Sequence, residues 1–92
     1  MNENQLQKIL SGKKIALLDP HEENAVVTLA EVIETHPTGC TGPLRIVRFQ
    51  GAFGALEQLR PREWILRPLA DEDEVRRFVD ERLIAYDRMW DG

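Results

Sequence analysis

Asp19-Pro20-His21-Glu22-Glu23-Asn24-Ala25-Val26-Val27-Thr28-Leu29-Ala30-Glu31-Val32-Ile33-Glu34-Thr35 is the stretch on which the fold turns, because it reads in two ways. Val26, Val27, Thr28, Val32, Ile33 and Thr35 are β-branched and stiff at the first side-chain torsion, which favours a pleated strand. Against this, Asp19-Pro20 followed by Glu22 opens a helix with proline in its first turn, and Val26, Leu29 and Val32 or Ile33 have helical spacing. The density of branched residues decides for a strand over residues 25–33, with Asp19-Pro20 and Asn24 as turn chemistry ahead of it. The helical alternative makes the fold α+β with a three-stranded sheet.

Working outward, similar branched runs occupy residues 15–18, 44–49, 56–59 and 64–66. They are divided by Pro37-Thr-Gly-Cys-Thr-Gly-Pro43, by Gly51-Ala-Phe-Gly54 and by Arg60-Pro-Arg62, all turn-forming. Five strands in about 55 residues imply a compact β unit with short antiparallel connections. Before it, Asn2 or Asn4 caps a short helix with Leu6, Ile9 and Leu10 on one face, and Gly12 supplies a left-handed stop. After it, Asp71 and Glu74 have capping-box spacing, and Val75, Phe78, Val79, Leu83, Tyr86 and Trp90 form one apolar stripe. From residue 71 to about 88 such a helix is roughly 27 Å long. Adjacent apolar pairs such as Ile46-Val47 leave both strand faces oily, so this helix covers one of them, in its own chain or in a twin. A stripe that reaches Trp90, near the chain end, leads to the expectation of a homodimer.

The middle of the chain resembles an SH3-like small barrel. The resemblance lies in a long second strand ending Ala30-Glu-Val-Ile-Glu-Thr35, a loop, Leu44-Arg-Ile-Val-Arg-Phe49, and Arg60-Pro-Arg-Glu-Trp64 in the place of the single tight helical turn before the last strand. It covers about residues 13–69 and is one of topology. It implies a mainly β domain: a five-stranded antiparallel SH3-like barrel over residues 13–70, an N-terminal helix over 1–12 and an amphipathic C-terminal helix over 71–90. Such barrels serve many unrelated purposes, so the resemblance selects no function.

The 92 residues suit one domain, and 12 basic against 16 acidic side chains give a net charge of -4. The deficit lies wholly from Asp71 onward, where eight carboxylates face four arginines. Bulk attraction to nucleic acid or anionic lipid is thereby excluded as the main driver. The single cysteine, Cys40, excludes a disulfide-stapled scaffold and fits a reducing cytoplasm. Met1-Asn2-Glu3-Asn4-Gln5 lacks the features of a secretory signal, and the apolar stretch 25–30 falls far short of the ~20 residues that cross a bilayer.

His36-x-x-x-Cys40 has a spacing that zinc sites use, and an imidazole near a thiol suits nucleophilic chemistry. A zinc site also needs His21 and one of Glu22, Glu23 or Glu34, and a nucleophile needs a rigid oxyanion pocket, so the expectation is a plain loop with no metal, cofactor or catalytic residue. Gly51-Ala-Phe-Gly54 lacks the helix terminus or lysine of a phosphate cradle and reads as a hairpin turn exposing Phe53. Arg45, Arg48, Arg60 and Arg62 interleave with Phe49, Phe53 and Trp64, a pattern that grips phosphate and stacks bases, although the same segment is neutral. The resulting expectation is a non-enzymatic protein-interaction module, homodimeric, docking through Phe53, Trp64, Tyr86 and Trp90 and through loops 36–43 and 51–54. The runner-up is a nucleic-acid binder using the four arginines, and the third reading a thiol or metal protein at His36 and Cys40.

Overall fold

The computed structural model describes the backbone of residues 1–12, 14–38 and 42–91, with side chains through Arg88. In chain order the elements are α1 (Glu3–Ser11), β1 (Ala16–Leu18), α2 (Pro20–Leu29), β2 (Glu31–His36), β3 (Leu44–Phe49), β4 (Ala52–Arg60), β5 (Glu63–Leu69) and α3 (Glu72–Asp91).

The ambiguous stretch is both things in succession, which corrects the single strand expected over 25–33. Asp19 caps α2: its Oδ1 accepts the Glu22 N–H at 2.8 Å, and Glu22 Oε1 accepts the Asp19 N–H at 3.4 Å, with Pro20 in the first turn. Only Val26, Val27 and Thr28 of the branched residues fall inside the helix, and their helix propensities cost roughly 2 kcal/mol together. The cap returns about 1 kcal/mol, and burying Val26 completely returns ~1.5–3 kcal/mol more. Thr28 also satisfies its hydroxyl on the Asn24 carbonyl at 2.8 Å. Val32, Ile33 and Thr35 lie beyond the break at Ala30, in β2.

The sheet is antiparallel throughout, with strand order β1-β5-β4-β3-β2. A barrel closes only when the outermost strands pair, whereas β1 and β2 stand at opposite ends with three strands between them. The fold is therefore α+β with an open sheet, not an SH3-like barrel, and it keeps five strands where the helical alternative foresaw three. The tight helical turn expected at residues 60–64 is instead a hairpin turn: β4 and β5 pair directly, from Phe53↔Leu69 to Arg60↔Glu63. Gln50 and Gly51 form the turn before β4, with φ of 50° and 81°, the signs of the tight hairpin turn whose twist matches its strands. Gly54, read as a turn residue, lies inside β4.

Alternation along the strands sorts the core into two faces. On one, Leu6 and Leu10 of α1 and Val26 and Ala30 of α2 pack with Leu18, Val47, Leu56, Trp64 and Leu66. On the other, Val75 and Val79 of α3 pack with Leu44, Ile46 and Ala55, joined by Phe53, Leu69, Phe78 and Leu83. Gly54 lets α1 approach closely, since a Cβ there would lie 2.6 Å from Leu10 Cδ2. The Asn2 cap of α1 is present, but Gly12 ends the helix at φ -86°, in extended backbone and not left-handed. Asp71 caps α3 by accepting the Glu74 N–H at 2.9 Å, while the Glu74 carboxylate takes the Ala70 N–H. The C-terminal helix thus packs on its own sheet.

Candidate functional site

Two helices cover one face of the sheet, and a single helix covers the other. A five-strand sheet is roughly 19 Å across at its usual strand spacing, and a helix with its side chains is only about 10–12 Å wide. α3 lies over β3 and β4, reaching Leu69 of β5 and Ile33 of β2. Among the described residues both flanks of this face stay uncovered, and they differ in chemistry.

The β2 flank is polar. Glu31 pairs with Arg48 at 2.6 Å, Glu34 lies 3.1 Å from His36 Nε2, and the register shifts between Val32 and Glu34. Charges and a bulge on an edge strand discourage further pairing. The β1 flank is apolar. Leu17, opposite the buried Ile65, is 66% exposed, and Ile15 just before the strand is 51% exposed. Residues 15–18 carry no charge, and β1 is hydrogen-bonded to the sheet on one side only. Ile84 is also exposed, but nine residues after Val75 places it half a turn away, on the outer side of α3.

Between α3 and β1 lies a buried charge cluster. Glu57, with its side chain 3% exposed, accepts Arg67 Nε–H at 3.1 Å and the Tyr86 hydroxyl at 3.2 Å, and its Oε2 lies 3.4 Å from Arg82 Nε. Phe78 sits under both guanidiniums, 6.0 Å from Arg67 and 5.2 Å from Arg82. The carboxylate is saturated by donors from β5 and α3, so it fastens the helix to the sheet. On the opposite face Glu23 holds Arg45 at 2.6 Å, and that guanidinium lies 5.6 Å from the centre of the Trp64 ring.

The expected docking residues are consequently placed otherwise than foreseen. Trp64 is buried under Arg45 and is no surface anchor; Phe53 is half-buried beside α3 and not at a turn tip; Tyr86 is half-buried with its hydroxyl on Glu57. The side chain of Trp90 lies outside the described residues, as does Cys40. Thr38 and Gly42 flank the undescribed segment, and the Gly42 N–H donates to Gln58 Oε1 at 2.7 Å. The structure does not gather the four arginines: Arg45 and Arg48 project to opposite faces, each on a carboxylate, while Arg60, 4.0 Å from Glu63, ends β4 and Arg62 lies in the β4–β5 turn. Among the described residues no group of three His, Cys, Asp or Glu is placed to hold a metal, and no helix is long and apolar enough to cross a membrane.

An open groove of about 690 Å³ lies between the end of α1, the β3–β4 turn and the start of α3, with Leu10, Phe49 and Leu69 in its walls. Among the described residues its one charged group is Glu74, engaged with Ala70, and the Ser11 hydroxyl is engaged with the Gln7 carbonyl at 2.7 Å. Nothing local in the sequence distinguishes Ile15 and Leu17 from the core residues of the neighbouring branched runs. The usable signal was the supply of cover: one helix after the last strand is too narrow for the face of five strands. Comparison with protein families, with curated proteins and with solved structures found no match.

Proposed function

We propose that this chain is a protein-interaction module with no bond chemistry of its own, working in the reducing cytoplasm and docking a polypeptide on the β1 flank of its sheet. The observation that supports this is the coincidence of exposed Ile15 and Leu17 with an uncharged edge strand whose outer side has no neighbour among the described residues. Such an edge offers main-chain hydrogen bonds for affinity and side-chain contacts for selection, the mode known as strand addition. Covering the exposed parts of the two side chains contributes ~1 kcal/mol each. The ladder and whatever the partner brings must supply the rest against the cost of association.

The test is a photo-reactive benzoylphenylalanine placed at Leu17, with a control at Glu34 on the opposite edge, each irradiated in the native host. Adducts to polypeptide at position 17 and their absence at position 34 are expected. No adduct at position 17, or equal adducts at both, refutes the docking surface.

A further inference from the structure

We infer that the β1 flank takes up an extended polypeptide segment in which two alternating apolar side chains are followed by acidic residues, added antiparallel to β1. This rests on the reading of that flank as the docking surface and names the chemistry of its partner. The chain keeps its lysines in one stretch: Lys8, Lys13 and Lys14 are the only three, and residues 1–18 hold a single acid, Glu3. Lys14 stands immediately before Ile15, and both Lys8 and Lys14 are exposed. Their backbones meet at Gly12, where a Cβ would lie 3.1 Å from the Lys8 carbonyl oxygen and 3.9 Å from the Lys14 nitrogen. Among the described residues neither lysine has a carboxylate partner, whereas Arg45, Arg48, Arg60 and Arg67 on the sheet each have one. The carboxylates that open α3 are engaged elsewhere: Asp71 holds the Glu74 N–H, Glu74 the Ala70 N–H and Glu72 the Arg76 guanidinium. Unpaired bases beside an uncharged apolar edge are the complement of acids next to apolar residues.

The other end of the edge carries the opposite sign. Asp19 follows Leu18, and Glu63, with half its side chain exposed, lies one step beyond the Leu18↔Trp64 pair. An incoming segment is therefore read for direction as well as for composition. Every pairing in the sheet is antiparallel, and that pairing is the more stable per residue. In this orientation the residue opposite Leu17 comes first, the one opposite Ile15 follows two places later, and the acids after it reach the lysines. Apolar pairs and opposite charges across the new strand both favour this arrangement. Acids placed ahead of the apolar pair would meet Asp19 and Glu63 instead, and like charges there oppose the complex. Glu31 and Glu34 on β2 make the other edge of the sheet a poor site for the same segment.

Panning a phage library of random dodecapeptides against the purified chain tests the inference, with the most enriched peptide then titrated by fluorescence anisotropy. Enriched peptides are expected to share two apolar residues in alternation with Asp or Glu after them. The double variant Lys8→Gln/Lys14→Gln is expected to weaken the peptide by about two- to thirtyfold, the worth of two exposed ion pairs, and raised salt to weaken it in the wild type. Leu17→Lys is expected to abolish measurable binding with an unchanged circular dichroism spectrum, because Leu17 is two-thirds exposed. Should Leu17→Lys lose its fold, Ile15→Lys gives the same reading from another exposed position. No enrichment, enriched peptides without acids or with acids ahead of the apolar pair, or binding indifferent to the lysine and flank variants overturns the inference. So does a purified chain that sediments as a dimer split by Leu17→Lys, since a second copy then occupies the flank. If the probe at position 17 forms polypeptide adducts while the enriched peptides lack the acidic end, only this inference falls; if that probe forms none, the module reading falls as well.

Discussion

Replacing Glu57 by alanine is the sharpest test of how the half-covered face is held together. The carboxylate is almost fully buried and serves three donors: Arg67 at 3.1 Å, the Tyr86 hydroxyl at 3.2 Å and Arg82 at 3.4 Å. Breaking a fully buried ion pair by removing one partner costs about 3–5 kcal/mol, because the other charge is left without compensation. Here Arg67 and Arg82 keep 29% and 36% of their side-chain surface in water, so part of their hydration is already present. The expected loss for Glu57→Ala is therefore ~2–4 kcal/mol. Glu57→Gln keeps an acceptor oxygen of the same reach and forfeits the charge, so it is expected to cost ~1–2 kcal/mol. Arg82→Ala removes the most exposed partner and should cost below ~1 kcal/mol. Urea unfolding, followed by circular dichroism, gives all three from the shift in midpoint at constant slope. An Arg82→Ala loss larger than that of Glu57→Ala, or a Glu57→Ala loss within ~0.5 kcal/mol of zero, refutes the claim that this carboxylate fastens α3 to the sheet.

Two further substitutions probe how the backbone positions the layers. Gly54→Ala puts a methyl group 2.6 Å from Leu10 Cδ2 and 3.3 Å from the Arg67 carbonyl, so the Leu10 side chain or α1 must give way; a loss of ~1–3 kcal/mol in urea unfolding is expected from overpacking, and no loss shows that Leu10 repacks freely. Gln50→Asn is expected to stabilise by ~0.5–1 kcal/mol, read as a higher unfolding midpoint, because Gln50 holds φ at 50°, where asparagine is several-fold enriched, and because Asn-Gly suits this hairpin turn.

The sequence made the two terminal helices readable because their signals are local. Asn2 with Gln5 and Asp71 with Glu74 are caps within one turn, and the stripe from Val75 to Leu83 is a pure period of three and four. The same kind of signal stands at Asp19-Pro20 with Glu22, but six branched residues follow it closely enough to read as one strand. Only three of those belong to the helix, and the remainder follow a break at Ala30 that no glycine or proline marks. Strand pairing was harder to read, since it is decided by contacts distant in sequence. With α2 carrying the chain from β1 across to β2, those strands become the two edges, and β5 pairs with β1 beyond the β4–β5 hairpin. Trp64, Phe53 and Tyr86 illustrate the corresponding limit at the site: aromatic identity promises contact, but Arg45, α3 and Glu57 show that the contact is internal.

The location of the candidate surface follows from an asymmetry between the two connections. β1 leads into α2, which crosses the sheet over the face it shares with α1, so that face receives two helices and is closed. The chain leaves β5 into α3, whose stripe turns to β3 and β4 because Ile46, Ala55 and Phe53 offer apolar surface beside one another there. Arg67 and Glu57 stand between that line and β1, and their pairing with Arg82 and Tyr86 sets the outer limit of the helix. A wider cover, or a helix shifted by one strand, would bury Leu17 and strand these charges without partners. The ion cluster that stabilises α3 where it lies thus also keeps Ile15 and Leu17 uncovered. For that reason Glu57→Leu, which frees α3 from this limit, is a poor choice for separating stability from docking, whereas Leu17→Lys changes the flank and leaves the fastening intact.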